Sequence, residues 1–198
     1  WIRPANAVLS DEAFAFLAGN DELNWLNLEG VNDVTDEVLT YLASAKKLDY
    51  LAIQYATNFT GKGLDKLPCG DTLTSLELLG CGISDDGLKA ISAFKQLRTL
   101  RITAGTASDK GFAFLGGLKS LTNLTVSTTA FGNKAAEAIS SLTGLTRLDA
   151  SSTKLTNSGL EKLYVLKNLT ELILNGTEVS PRAAADFQQA LPQCRVSR

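Results

Sequence analysis

The chain has 198 residues, of which 44% are hydrophobic and 20% are charged, as in ordinary soluble globular proteins. Nineteen basic and 21 acidic residues leave a formal net charge of −2. The chain therefore lacks the basic excess that is typical of nucleic-acid-binding domains and of polybasic membrane-binding segments. No apolar run approaches the ~18–20 residues that a membrane-spanning helix needs, so we expect neither nucleic-acid binding nor membrane insertion.

The residue types that carry most catalytic chemistry are scarce. Histidine is absent, which excludes Ser-His-Asp and Cys-His mechanisms within this chain. The three cysteines, Cys69, Cys81 and Cys194, are too scattered for a disulfide framework or a zinc site. A glycine-rich phosphate-binding loop is also missing. The sequence therefore predicts a protein that is not an enzyme and that needs no cofactor and no metal.

One leucine returns at a nearly constant interval. Successive copies are 25 or 24 residues apart, and the seven copies are Leu23, Leu48, Leu73, Leu97, Leu121, Leu145 and Leu169. A fixed period of about 20–29 residues indicates a solenoid, in which each repeat buries its apolar face only against its neighbours. We expect seven repeats over residues 23–179.

Residues 1–22 are predicted to form a half repeat that caps the first full repeat. Residues 9–17 align with the helical part of the later repeats, and Ile2 falls at a strand position, although Pro4 would shorten or prevent that strand. Methionine is absent, so the chain has no initiator residue. We expect that a preceding segment has been removed, and secreted, periplasmic and cytoplasmic locations all stay open.

Each repeat begins with a predicted strand. Counted from the repeated leucine, positions 4 and 6 are apolar in every copy: Leu26 and Leu28, Leu51 and Ile53, Leu76 and Leu78, Leu100 and Ile102, Leu124 and Val126, Leu148 and Ala150, Leu172 and Leu174. Alternation with a period of two indicates a strand with one buried face. Stacked repeats then form a parallel sheet, with positions 3, 5 and 7 facing outward.

A short helix is predicted in the second half of each repeat. A hydroxyl residue precedes it at Thr35, Thr60, Ser84, Ser108, Thr156 and Ser180, and an acid or amide commonly follows, as at Asp36, Asp85, Asp109 and Asn157. The hydroxyl can cap free helix N–H groups, and an acid suits the positive end of the helix dipole. We expect about two helical turns per repeat, held by stacking. The second repeat carries an insertion at residues 56–59, and the fifth lacks the hydroxyl at Gly132.

Position 9, in the turn between strand and helix, carries Cys81 in the third repeat and threonine in the last three. A compact hydrogen-bond donor there can satisfy turn carbonyls, so we interpret Cys81 as structural. Residues 180–198 are predicted to form a C-terminal cap. Ser180 and Pro181 suit the start of a helix, which should run from Arg182 to Ala190, and residues 194–196 suit a last edge strand.

The frame L-x-x-L-x-L-x-x-T-x-[VIL]-[ST]-[DN]-x-G-L-x-x-L resembles bacterial leucine-rich repeat proteins that are abundant in planctomycetes. Residues 145–163 carry the closest copy, residues 73–91 are nearly as close, and the ending at 190–196 is similar to that group's C-terminal cap. Through Cys81 the pattern also resembles the cysteine-containing repeats of F-box substrate receptors, although no F-box-like segment is present. The resemblance implies an α/β fold in one domain over 1–198. This would be a right-handed leucine-rich repeat solenoid with a parallel sheet on the concave face and short helices on the convex face.

For function the resemblance implies only protein or ligand binding, since the family shares no activity. Solenoids bind partners mainly on the concave sheet, and this face is uneven. We predict a partner-binding site in its first four strands, called here the sheet-face patch: Trp25, Tyr50, Tyr55, Leu79, Glu77 and Arg101. Trp, Tyr and Arg are typical interface hot spots. Alternatively, the aromatic side chains shield the end coil or pack on a missing segment, and Glu77–Arg101 is an ordinary surface ion pair.

Two functions follow from this sequence. The first is a non-catalytic scaffold, expected to be a monomer, that binds a protein or peptide partner on the sheet. The second is a structural or assembly segment of a longer repeat protein. A two-carboxylate hydrolase would need a deep pocket, which an open sheet does not offer.

Overall fold

A computed structural model describes residues 9–198, so the predicted strand around Ile2 lies outside the described residues. Eight strands form one parallel sheet in chain order. They are β1 (Trp25–Glu29), β2 (Tyr50–Gln54), β3 (Ser75–Leu79), β4 (Thr99–Thr103), β5 (Asn123–Thr125), β6 (Arg147–Asp149), β7 (Glu171–Ile173) and β8 (Arg195–Ser197). Each repeat thus contributes one strand, as predicted, and the ending residues contribute the eighth.

The register of the sheet follows the repeat. Equivalent positions pair across every junction, so that Trp25 lies opposite Tyr50, which lies opposite Ser75. The strands β1 to β4 pair over five residues, whereas β5 to β8 pair over three. Side chains at one position therefore form a row across the sheet, about 4.8 Å from strand to strand.

The other side of the sheet is covered by short helices. The 3₁₀ helices are Asp11–Leu17, Asp36–Leu42, Leu64–Lys66, Ala113–Gly117 and Leu163–Val165, and the α-helices are α1 (Asp85–Ile91), α2 (Asp109–Phe112), α3 (Asn133–Ile139), α4 (Asn157–Lys162) and α5 (Pro181–Ala190). The core lies between the helices and the sheet, and the repeated leucines from Leu48 onward are fully buried in it.

The expectation of two helical turns in every repeat is wrong for the second repeat. It has only the three-residue turn Leu64–Lys66. Gly61 and Gly63 precede this turn in left-handed conformations, with φ of 79° and 94°, which a right-handed helix cannot include. Pro68 follows it, and a proline disfavours helical backbone at the residue before it. Leu67 is accordingly extended.

Large side chains fill the core beside the leucines. Six phenylalanines are at most 1% exposed: Phe14, Phe59, Phe94, Phe112, Phe131 and Phe187. Phe112 and Phe131 meet edge to face across neighbouring repeats, with ring centroids 6.0 Å apart. Burying one such side chain contributes roughly 1.5–3 kcal/mol to the free energy of unfolding. Here that burial depends on the neighbouring repeat.

The acid or amide at six helix starts has a role beyond the one predicted. It reaches forward to the next repeat: Asp85 accepts from the backbone N–H and the hydroxyl of Ser108, at 2.6 and 2.8 Å. Asp11, Asp36, Asp109, Asn133 and Asn157 each accept in the same way from the following helix start. This carboxylate–amide ladder links neighbouring repeats, so these side chains do more than favour their own helix dipole.

The ladder replaces the missing hydroxyl of the fifth repeat. Gly132 offers no side chain at the start of α3, and Asp109 of the preceding repeat accepts from the N–H groups of Gly132, Lys134 and Ala135 at 2.8–3.1 Å. The hydroxyl caps predicted at Thr35, Ser84, Ser108 and Ser180 are confirmed. The Thr156 hydroxyl instead bonds Asn133 of the ladder.

The ladder also explains the glycine in the repeat frame. A Cβ atom on Gly111 would stand 2.1 Å from the Asp85 carboxylate, and one on Gly159 would stand 2.3 Å from the Asn133 amide oxygen. Such distances are far below van der Waals contact, so any side chain here would displace the ladder. The second repeat has Gly61 in place of the acid or amide. At the helix start of the third repeat, the Ser84 N–H therefore donates directly to the Thr60 carbonyl.

The turn donors at position 9 are confirmed. Thr129, Thr153 and Thr177 each donate to a carbonyl three residues earlier at 2.6–2.7 Å, and the Cys81 thiol lies 3.2 Å from the Ile53 carbonyl of the preceding repeat. Within residues 9–198, every buried side-chain nitrogen or oxygen has a hydrogen-bond partner. The turns therefore stack without orphaned polar groups.

The C-terminal segment closes the last repeat much as predicted. Helix α5 begins at Pro181 with Ser180 as its cap, and β8 adds to β7. The Gln188 side chain accepts from the backbone N–H of Val196 at 2.9 Å, and Arg198 donates to the Val179 carbonyl at 2.6 Å. The cap thus satisfies a backbone donor of the last strand that a further repeat would otherwise satisfy.

The ladder makes a stability prediction. Asp109→Ala removes three acceptor contacts at the start of α3, so we expect the free energy of unfolding to fall by about 2 kcal/mol. Asp109→Asn, which resembles the natural amides at 133 and 157, should lose less. Chemical denaturation followed by circular dichroism measures both.

Asp86→Ala is the matched control, because Asp86 is an exposed acid in the first turn of α1 outside the ladder. Its effect should stay within about 0.5 kcal/mol. Equal losses for Asp86→Ala and Asp109→Ala would show that helix charge, and not the ladder, is what matters.

Candidate functional site

The six residues of the sheet-face patch lie on the open face of β1 to β4, as predicted. Trp25 and Tyr50 occupy position 3, Glu77 and Arg101 position 5, and Leu79 position 7, while Tyr55 follows directly after β2. Trp25 is 40% exposed and Tyr55 is 56% exposed. The patch is therefore a real surface of neighbouring side chains on rigid strands.

Trp25 and Tyr50 form a stacked pair. Their ring centroids are 5.1 Å apart and the ring planes differ by 7°, the spacing set by neighbouring strands. Because the rings stack along the strand-to-strand direction, one face of each ring contacts the other ring, and the ring edges point away from the sheet. The pair is a rigid apolar ridge, and offset stacking adds roughly 0.5–1.5 kcal/mol beyond burial.

Tyr55 is held in a left-handed backbone conformation, with φ of 65°. Position 8 is left-handed in all seven repeats: Gly30, Tyr55, Gly80, Ala104, Thr128, Ser152 and Gly176. Glycine adopts this conformation without strain, whereas another residue costs about 1–2 kcal/mol. Three repeats have glycine at position 8, yet the second repeat has Tyr55, a large and mostly exposed aromatic residue.

Tyr55 and Leu79 meet at the carboxyl ends of β2 and β3. The Tyr55 N–H donates to the Leu79 carbonyl at 2.7 Å. The Tyr55 ring lies against Gly80, where an added Cβ would stand 3.1 Å from the ring. Gly80 therefore leaves the space that this ring occupies, and the two residues form a second apolar ridge.

A charged pair lies between these ridges and the middle of the sheet. Arg101 donates to Glu77 at 3.2 Å, which is the cross-strand ion pair predicted. The Arg101 side chain is 45% exposed and that of Glu77 is 16% exposed. Burial, reinforced by the nearby Glu77 carboxylate, raises the pKa of the Tyr50 phenol, which keeps that group neutral.

Three further residues belong to this surface, although residue type alone did not mark them. Ala52 is at an outward position, between Asn27 and Glu77 in the register, but is fully buried. The Gln54 amide donates to Asn27 at 3.3 Å. The row pattern could have identified them, since all three occupy positions 5 and 7 of the strands that carry the patch.

The other half of the face is occupied by internal contacts. Arg147 bonds Glu171 at 2.6 Å, approaches Asp149 at 3.9 Å and lies 3.4 Å from the Thr125 hydroxyl. Its donors are thus largely used within the sheet. The aromatic residues of this face lie on β1 and β2, and apart from the half-buried Ile173 of β7 its last strands carry polar and charged side chains.

The helical side offers a shallow groove beside the shortened second repeat. It has a volume of about 590 Å³ and is lined by apolar Leu39, Ala43 and Leu67, with Lys62 and Lys66 among its charged residues. The remaining charges, Asp36 and Glu37, balance these lysines. Within residues 9–198, acids and cysteines form no group of three that could hold a metal ion.

The three cysteines are buried and free. Burial raises the pKa of the Cys69, Cys81 and Cys194 thiols from an ordinary value of 9.0 to about 11. Reactive cysteines need a lowered pKa and access to solvent. These thiols therefore serve the core, in agreement with the structural interpretation of Cys81.

A family model described as a leucine-rich repeat matches residues 72–92, and the comparison with curated proteins gave no match. Two similar structures are internalins of Listeria monocytogenes. The first, inlF, is 20% identical with a TM-score of 0.60, and the alignment covers 92% of this chain and 63% of the internalin. The second, internalin C2, is 21% identical with a TM-score of 0.59 and coverages of 93% and 83%.

A third similar structure is the leucine-rich repeat ectodomain of the Arabidopsis receptor kinase HAESA, in complex with an N-terminally extended IDA peptide hormone. It is 21% identical with a TM-score of 0.53, and the alignment covers 79% of this chain and 26% of the receptor. The chain thus spans less than two thirds of inlF and about a quarter of the receptor. These similarities show the fold, which is that of an α/β leucine-rich repeat solenoid. In residues 9–198 no helix has the length and apolar character to cross a membrane.

The left-handed backbone at position 8 leads to a second prediction about stability. Thr128→Gly relieves the strain of a β-branched residue at φ of 57° and should raise the free energy of unfolding by about 0.5–1 kcal/mol. Tyr55→Gly gains the same relief but loses the ring contact with Gly80, so its net change should be near zero. Urea denaturation measures both, and a clear loss of stability in Thr128→Gly would contradict this account.

The buried thiols predict a pH dependence. With a pKa of about 11, roughly one thiol in a thousand is ionised at pH 8, so Ellman's reagent should react only after denaturation. Because the folded state disfavours the thiolate, its stabilising contribution is complete below pH 9 and is lost as the pH rises from 9 toward 11. Urea midpoints at pH 8 and 10.5 test this, and Cys81→Ala should reduce the slope. Rapid labelling of the native protein at pH 8 would contradict it.

Proposed function

We propose that this leucine-rich repeat protein is a non-catalytic scaffold that binds a protein or peptide through the sheet-face patch. The observation that carries the proposal is Tyr55, which is 56% exposed in a left-handed conformation where the other six repeats use glycine or a small residue. Backbone strain that the surrounding fold must sustain is concentrated at functional sites. An exposed ring adds little to the core, so binding gives a reason for this residue.

The physical character of the patch supports this function. Trp25 and Tyr50 are stacked on paired strands, so little side-chain entropy is lost when a partner covers them. Arg101 beside Glu77 supplies a polar border to the apolar ridges. Aromatic anchors surrounded by polar groups are the usual composition of binding hot spots.

The comparisons support the class of ligand. Leucine-rich repeat proteins are commonly binding scaffolds, and the similar HAESA ectodomain carries a peptide hormone. Catalysis lacks support, since the three thiols are buried and their pKa values are raised. We further infer that the protein acts as a monomer and that its repeat frame is of the bacterial, planctomycete-like type.

A second candidate is a structural segment of a longer repeat protein. The position of Trp25 on β1, the first strand of the described sheet, favours it, because a side chain at the end of a solenoid can pack on a preceding coil. The two functions differ in what Trp25→Ala does. If Trp25 packs on a preceding coil, the substitution lowers the free energy of unfolding of the longer protein by more than the roughly 0.5–1.5 kcal/mol that stacking on Tyr50 contributes. If Trp25 only contacts a ligand, the loss stays within that range.

Affinity capture followed by binding measurements tests the proposed function. A partner captured from the source organism and purified should bind the wild-type protein, and Trp25→Ala should weaken the affinity at least tenfold, which corresponds to about 1.4 kcal/mol. Tyr55→Gly should weaken it similarly while leaving the urea midpoint unchanged. Biolayer interferometry gives the affinities.

Phe114→Ala is the matched control, because Phe114 is an aromatic residue of similar exposure, 44%, on the helical side. It should leave the affinity unchanged. A partner that binds both patch variants as tightly as wild type would exclude the patch as the site.

A further inference from the structure

The sheet-face patch contains two apolar ridges with a defined separation. The amino-end ridge is Trp25 with Tyr50 at position 3, and the carboxyl-end ridge is Tyr55 with Leu79 at positions 8 and 7. Tyr50 and Gln54, the partner of Leu79 in the register, are four residue steps apart along β2. At about 3.3 Å per residue and 4.8 Å between strands, the ridges are roughly 14 Å apart.

This separation distinguishes two kinds of bound segment. An extended segment advances about 3.3 Å per residue, so side chains four residues apart lie on one face and about 13 Å apart. On a helix, side chains of one face recur seven, eight or eleven residues apart, about 10.5, 12 or 16.5 Å. The first two distances are shorter than the separation of the ridges and the third is longer, whereas the extended spacing differs from it by only about 1 Å. The ridges therefore fit an extended segment that runs along the strands.

The surface between the ridges determines which side chain suits the middle of a bound segment. Position 5 lies halfway, with Ala52 fully buried and the Glu77–Arg101 pair beside it. Arg101 is the more exposed partner, 45% against 16%, and one contact at 3.2 Å leaves other guanidinium donors free for a ligand. The exposed charge here is therefore positive, and its complement is a carboxylate.

We propose that the patch binds an extended acidic peptide segment with two bulky apolar side chains four residues apart and an Asp or Glu midway between them. The first apolar side chain packs on Trp25 and Tyr50, and the second packs on Tyr55 and Leu79. The acidic side chain passes over Ala52 and reaches Arg101. This proposal rests on the proposed function, because it specifies the ligand of the same patch.

Selection from a library of displayed random twelve-residue peptides tests the proposal. The immobilised 198-residue chain is the target, and enriched peptides are compared on the wild type, Trp25→Ala, Tyr55→Gly and the control Phe114→Ala. Enriched sequences should share an apolar residue, an acid two residues later and an apolar residue two further on. Their binding should fall at least tenfold on both patch variants and stay unchanged on Phe114→Ala.

Two changes to an enriched peptide test its conformation and charge. Inserting one glycine between the acid and the second apolar residue turns that side chain to the opposite face and should weaken binding at least tenfold. Replacing the acid by lysine should weaken binding to the wild type about three- to tenfold. Arg101→Glu should reverse that preference, so that it binds the lysine peptide better.

The possible outcomes distinguish failure of the peptide proposal from failure of the proposed function. Peptides that depend on Trp25 and Tyr55 but carry helical spacing, or no acid, overturn the extended acidic ligand and leave the proposed function standing. A library that yields no peptide sensitive to the patch variants also overturns the extended acidic ligand, whereas the proposed function fails only if the captured partner binds both patch variants as tightly as wild type.

Discussion

The structure depends on the fact that no repeat can bury its own leucines. Each 24- or 25-residue unit has one strand and one short helix, and both present an apolar face that only the next unit can cover. Burial of leucine and phenylalanine supplies the energy, but it is not directional. The register must come from hydrogen bonds that join equivalent positions of successive repeats.

The carboxylate–amide ladder supplies much of that direction. An aspartate or asparagine at six helix starts accepts from the next helix start, for example Asp85 from Ser108 and Asn157 from Ser180. The contact closes only when the repeats are in register, and the glycine that follows leaves room for it. Parallel strand pairing on one side and this ladder on the other hold each coil at two points.

Such a scaffold makes side-chain positions on the open face predictable and nearly fixed. Trp25 and Tyr50 stack because sheet register places equivalent positions about 4.8 Å apart. Tyr55 projects from the sheet because every repeat turns through a left-handed residue at position 8. Regular repetition thus explains where the exposed aromatic residues lie, and Tyr55 departs from it by placing a large side chain where the other six repeats have glycine or a small residue.

Sequence periodicity determined the fold class, the seven strands, the inward and outward rows and the six residues of the sheet-face patch. These follow from local alternation and a fixed period, which need no knowledge of distant contacts. It did not show that Ala52 would be covered, that Gly61 and Gly63 would reduce the second helix to one turn, or that Asp109 would cap the helix after Gly132. The shortened helix depends on backbone angles that the glycines allow but do not impose, and the other two depend on side chains of neighbouring repeats, which only the stacked tertiary structure brings together.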